Sequence, residues 1–221
     1  MNESVRNILV ISPHPDDESI GCGGAIATFA NAGDLVTVVF LSSGEKGGHG
    51  KPEDETRKTR EAEARNACEI LGVKDIEFWH EPDGNVTVTV SLIAKLQNLI
   101  CRLKPALVFA PHPQEDHADH VAAAELAIKA VSGLTVTIQG MELWMYEIWA
   151  ALTHFDQCVD ISDVLEKKMS AIAAHVSQCE IMDFAAASRG LARYRGEMHS
   201  WPGGDYAEVF LEWKPNSKRF R

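Results

Sequence analysis

The feature that most restricts this chain is a regular alternation between short apolar runs and longer helix-like segments. Asn7–Ile11, Asp34–Leu41, Ile76–Trp79 and Ala106–Ala110 read as strands, and runs this continuously apolar must be covered on both faces. Between them lie segments with helical patterning and helical stops. These are Ala25–Ala32 before Gly33, Glu55–Leu71 before Gly72, Ser91–Arg102 before Pro105, and the alanine-rich Val121–Val131. Leu143–Ile148, Cys158–Ile161 and Tyr206–Trp213 read as later strands, with a helix through Lys167 to His175. This alternation specifies an α/β chain: a three-layer, Rossmann-like sandwich with a mostly parallel sheet and helices on both faces. The 221 residues show no linker, repeat or low-complexity tract, so the expectation is one domain over residues 1–221.

In such folds the chemistry gathers outside the carboxyl ends of the strands. In the common order 3-2-1-4-5 the first and fourth strands are neighbours, with a crevice between them. Both loops that open onto that crevice carry histidines and carboxylates. After the first strand comes Ser12–Gly24, SPHPDDESIGCGG, which packs His14, Asp16, Asp17 and Glu18 into five positions. Three adjacent like charges repel, and a bound cation removes the conflict, since carboxylates and imidazoles are ordinary ligands of divalent metals. After the fourth strand comes Pro111–His120, PHPQEDHADH. Two independent acidic turns have no reason to choose those two loops.

Open catalytic zinc sites use three protein ligands and leave one position for water. His14 and Asp17 can come from the first cluster, and one of His112, His117 or His120 from the second. Asp16 then remains beside the metal to take a proton from water, and a spare imidazole can protonate a leaving amine or stabilise an oxyanion. The parts add up to metal-assisted hydrolysis of an amide or ester. His112 follows a proline and is placed at the rim. Ser42–Pro52, with four glycines, is a polar loop that could line the site, and RGLARYRGEMHSWPGGDY (189–206) reads as a Gly-rich loop facing substrate or a subunit contact.

HPDDE with the following GCGG, an R-x-x-E helix ending in LG, a downstream HxDH and the tail motifs DIS…K…H…SQ and YAEVF together resemble the LmbE-like or PIG-L family of zinc-dependent N-acetylglucosamine deacetylases. The resemblance covers nearly the whole chain. It implies His14, Asp17 and His120 as metal ligands and Asp16 as general base. It implies His117 as the group that stabilises the tetrahedral intermediate, oriented by Asp119, with Arg60 binding the substrate sugar. Glu18 is assigned to substrate binding as well, its other reading being a cap of the following helix. The expected cofactor is Zn2+, although Fe2+ or another divalent metal suits the same ligands. The expected substrate is a small-molecule or glycolipid amino sugar, and relatives of that family suggest a homo-oligomer. The competing functions are a metal-dependent phosphoesterase and a non-catalytic sugar- or nucleotide-binding module.

A net charge of −11 argues against a nucleic-acid surface, which needs a basic stripe. Five scattered cysteines without a CxxC suggest neither a disulfide framework nor a cysteine-rich zinc site, and fit a reducing, cytoplasmic compartment. No apolar stretch approaches the ~20 residues that span a bilayer.

Overall fold

The computed structural model describes residues 5–134, 140–199 and 204–214. Seven strands form a sheet in the order β3-β2-β1-β4-β5-β7-β6. They are β1 (Asn7–Ser12), β2 (Leu35–Phe40), β3 (Asp75–Phe78), β4 (Leu107–Pro111), β5 (Glu142–Tyr146), β6 (Gln157–Asp160) and β7 (Ala207–Trp213). The run from β3 to β5 is parallel, as the sequence pattern requires. The tail strand β7 inserts antiparallel between β5 and β6.

Alternation along β1 sends Ile8 and Val10 into one apolar core and Leu9 and Ile11 into the other. The first core is closed by α1 (Asp17–Asn31), α2 (Glu53–Leu71), α5 (Leu165–Ala174) and α7 (Phe184–His199). The second is closed by α3 (Val90–Leu103) and α4 (Ala118–Ser132). Because both faces of the central strands are dry, their buried side chains are almost all apolar, with Thr37 an exception in β2. A short α6 (Val176–Cys179) links α5 towards α7.

Two segments depart from the sequence reading. The first helix begins at Asp17 rather than Ala25, and it bends at Cys22, whose φ is −143° and ψ 20°. The glycines there allow close approach instead of a loop. A Cβ on Gly21 would sit 2.2 Å from the Tyr146 ring, and one on Gly24 2.6 Å from Ile161. Past the bend, the buried amides of Gly24 and Ala25 donate to the buried Glu208 carboxylate at 2.8 and 2.7 Å, which acts as a cap for the second half of the helix. Lys168 pairs with Glu208 in the same dry pocket.

The second departure is at 189–206. Arg189, Arg193 and Arg195 stand on the helix α7, not on a loop. Arg195 is buried and bonds the Glu147 carboxylate through Nε (3.1 Å) and Nη2 (2.7 Å). Gly196 reads as a breaker in sequence, but in the helix it admits the backbone of Asp205, 2.3 Å from where a Cβ would lie. Trp201 lies outside the described residues.

Removing Glu208 would strand a buried ammonium and two helix-end amides together. Glu208→Ala is expected to destabilise the protein by about 3–5 kcal/mol in urea unfolding, and Glu208→Gln by less, since its amide oxygen still accepts from one amide.

Candidate active site

The two polar loops meet where β1 and β4 end. After β1 the chain runs through His14 and Asp16 into α1. Asp16 takes φ 132° and ψ −31°, a conformation that costs a non-glycine residue on the order of 1–3 kcal/mol. Surrounding bonds hold it there. Its amide donates to Glu18 Oε2 at 3.1 Å, and its carbonyl accepts from the amides of Ser19 (3.0 Å) and Ile20 (2.9 Å). The expectation of Glu18 at the substrate is therefore corrected. Its carboxylate is wholly buried, accepts from Ser19 Oγ at 2.7 Å and pairs with His175 Nε2 at 3.2 Å, so it braces the turn from beneath.

After β4 the chain passes from His112 to His117, which caps α4. His117 Nδ1 accepts the Asp119 amide at 3.2 Å, and this starts the helix so that His120 falls in its first turn. The rings of His14, His117 and His120 converge, with centroids 4.9–5.4 Å apart. The Asp17 carboxylate lies between two of them: its Oδ2 is 3.1 Å from His14 Nδ1 and 3.2 Å from His120 Nε2.

The outward nitrogen of each ring meets another carboxylate. His14 Nε2 faces Asp119 at 3.0 Å and Asp83 at 3.2 Å, and His120 Nδ1 faces Glu115 at 3.3 Å. These carboxylates are themselves fixed by backbone amides, Asp119 by Gly84 and Val86 and Glu115 by Ile148 and Trp149. Here the sequence reading is corrected twice. The Asp119 side chain orients His14, and only its backbone amide reaches His117. His112 is buried rather than at a rim, with Nε2 2.7 Å from the Ala150 carbonyl and 3.2 Å from Glu115. Asp83 stands in EPDGN (81–85), a run whose composition reads in sequence as a plain turn. Glu115 stood in the second cluster, but its use depends on which way the His120 ring points.

The charges are strongly perturbed. Burial pushes the Asp16 carboxyl up to about 6, against the pull of Arg60 and with a further push from Asp17. Burial also opposes charge on Asp17, but His120 and His14 outweigh it and hold that carboxyl far below the ordinary range. For His120 the desolvation is overcome by Asp17 and Glu115, which raise its pKa to about 9. His117 goes the other way, lowered by burial and by the neighbouring His14 and His120. With Nδ1 accepting from an amide, neutral His117 carries its proton on Nε2.

A cavity of about 310 Å3 opens over this cluster, lined by His14, Asp16, Asp17, His117 and His120 together with Arg60, Lys46, Trp149 and others. Arg60 is buried, and its guanidinium reaches the carbonyls of Gly44 (3.0 Å) and Pro15 (2.7 Å) and the Asp16 carboxylate (3.2 Å). It ties the 42–52 loop to the strained turn, and Glu63, three residues on, bonds Ser177.

Two donor sets among the described residues could hold a metal ion: His14, His117 and His120, and His14, Asp83 and Asp119, each with donor atoms within 4.8 Å of one another. Asp17 belongs to neither set, but its Oδ2 lies within 3.2 Å of a nitrogen of both His14 and His120 and offers a carboxylate donor beside them. Bonds of about 2.0–2.2 Å in a tetrahedron put neighbouring donors about 3.3–3.6 Å apart, close to the spacings of Asp17 from His14 Nδ1 and His120 Nε2. His14 and His120 each also have the other ring nitrogen on a carboxylate, the usual support for a metal-binding histidine.

Comparison with known proteins places the chain among relatives. Residues 9–131 match the family model described as GlcNAc-PI de-N-acetylase. The diacetylchitobiose deacetylase of Thermococcus kodakarensis is 34% identical over 193 residues, 79% of this chain and 70% of that protein. A 4-oxalmesaconate hydratase of Pseudomonas putida is 29% identical over 88% of this chain and 84% of its own length. The crystal structure of the conserved protein TT1542 from Thermus thermophilus superimposes with a TM-score of 0.81 at 31% identity, covering 97% of this chain and all of the other.

Two outcomes test the geometry. Asp119→Asn should weaken divalent-metal affinity about 10–100-fold in competition with a chromophoric chelator, whereas the exposed Asp116→Asn should not. In metal-stripped protein, His120 has a folded pKa of about 9, above its unfolded value. The stability it contributes is fully present below about pH 6.5 and is lost as pH rises through 9. Stability from thermal melts should fall across that window, by on the order of 3 kcal/mol, and His120→Gln should flatten the change.

Proposed function

The chain belongs to the GlcNAc-PI de-N-acetylase (PIG-L) family, and from that premise we propose that it is a zinc-dependent deacetylase of an N-acetylated amino sugar. The relatives' names supply the reaction: the family model and the diacetylchitobiose deacetylase both describe removal of an acetyl group from N-acetylglucosamine units. The observation that carries the reading is the Asp17 carboxylate flanked by His14 and His120 at 3.1 and 3.2 Å, beneath an open cavity.

His14, Asp17 and His120 would hold the metal. A zinc ion bound there would lower the pKa of water to about 7 and would polarise an acyl carbonyl. The remaining work belongs to the chain. Asp16, beside the cavity and held by Arg60, takes the proton of the attacking water. In the metal-free protein burial pushes its carboxyl up to about 6, and the Arg60 guanidinium at 3.2 Å holds the carboxylate beside the cluster. The His117 Nε2–H donates to the oxygen that becomes negative as the tetrahedral intermediate forms, and a neutral imidazole suits that task. The proton taken by Asp16 returns to the departing amine. The five free cysteines, Cys22 and Cys68 among them buried, take no part in the cavity. No described helix is long and apolar enough to cross a membrane.

Acetate release from N-acetylglucosamine and its glycosides, measured in zinc-replete protein, tests the reading directly, and hydration of an unsaturated tricarboxylic acid without acetate release would favour the hydratase relative instead. His14→Ala should lose metal and activity together. Asp16→Asn should keep metal and lose about 10²–10⁴-fold in kcat. The kcat profile should fall on the acid side at or below pH 6, because the base must be ionised and a bound cation lowers its pKa from the metal-free value of about 6.

A further inference from the structure

A second chamber of about 160 Å3 adjoins the catalytic cavity. Ile20, Ile148, Trp149 and Phe184 line both, so the two share one wall. Beyond that wall the lining turns to small and aliphatic side chains, with Ala187 and Leu191 of α7 facing Val209 of β7. Its charged groups are already engaged with partners of the fold. Lys168 is bonded to Glu208, and Glu147 to Arg195 and to the Leu152 amide. What the chamber offers a ligand is therefore dispersion and dry surface. Trp149 is half exposed at the shared wall and meets Phe184 edge to face at 5.9 Å, which leaves an aromatic face at the junction.

Sealing by core side chains would be the economical solution in a protein interior, because an empty apolar space forfeits contacts on every side. Here the space is kept open beside the reacting centre. Its volume is close to the ~150 Å3 of an apolar cavity that admits benzene. We propose that this chamber is a subsite for an apolar aglycone of about phenyl size, carried by the amino sugar that occupies the catalytic cavity. The inference rests on the deacetylase reading above. Under that reading the acyl group is an acetyl of two carbons, held at the histidine cluster, and it leaves the chamber unfilled. The substituent on the sugar is the part of the substrate with the size to fill it.

The test compares kcat/KM for the methyl and phenyl glycosides of N-acetylglucosamine, with an N-hexanoyl methyl glycoside as a third substrate. Wild type is measured beside Ala187→Trp, a change at an exposed position of α7 whose indole would occupy the chamber. The phenyl glycoside is expected to lead the methyl glycoside by about tenfold, the ratio that burying roughly two methylene groups yields. Ala187→Trp is expected to abolish that lead and to leave the methyl glycoside within about twofold of wild type. Equal values for the two glycosides, or an equal loss on both in the variant, would overturn the subsite. A preference for the N-hexanoyl substrate would overturn it too, by placing the acyl chain in the chamber. If no N-acetyl substrate were cleaved, the deacetylase reading itself would fail. Calorimetric binding of the phenyl glycoside would then still decide the subsite, which predicts binding by wild type and at least tenfold weaker binding by Ala187→Trp.

Discussion

The contact that organises this molecule is the Asp17 carboxylate set between the imidazoles of His14 and His120. It joins a loop after β1 to the first turn of α4, two parts of the chain that only the adjacency of β1 and β4 brings together. A carboxylate in a dry site is costly, and burial alone would neutralise it. The flanking histidines reverse that balance for Asp17, while Asp16, one residue earlier, is left with the opposite perturbation. Two adjacent aspartates thus end with very different proton affinities, a common arrangement where one group must stay charged and its neighbour must exchange a proton.

Much of the rest serves to hold that contact in register. Glu18 and His175 support the strained turn from inside the core, and Arg60 clamps it from the side through Pro15, Gly44 and Asp16. Asp119 and Glu115 set the outer nitrogens of the two imidazoles, and four backbone amides set those carboxylates in turn. Even the tail strand contributes, since β7 carries Glu208 to the bend of α1. Rigid support of this depth suits a site whose chemistry depends on placement to within fractions of an ångström.

How much of this could be read before any coordinates followed from the kind of interaction involved. The central strands were legible because full burial leaves a local signature, an apolar run. The crevice was legible because its two loops carry charge that a plain turn would not. The place of β7 was not, since an antiparallel insertion depends on pairing partners rather than on its own residues. α7 was missed because Gly190 and Gly196 imitate a loop, whereas Gly196 is there for the backbone of Asp205. Asp83 was concealed by a turn motif that it also satisfies. The reversed role of Asp119 and the internal role of Glu18 turn on side-chain direction, to which spacing along the chain is blind.

The central claim is that one divalent cation sits at the Asp17 side of the His14 ring. Anomalous diffraction at the zinc edge from zinc-loaded crystals measures this directly. The account predicts a single peak about 2.0–2.2 Å from His14 Nδ1, the Asp17 carboxylate and His120 Nε2. A peak on the other side of the ring, among His14 Nε2, Asp83 and Asp119, would contradict it, as would no peak near His14 at all.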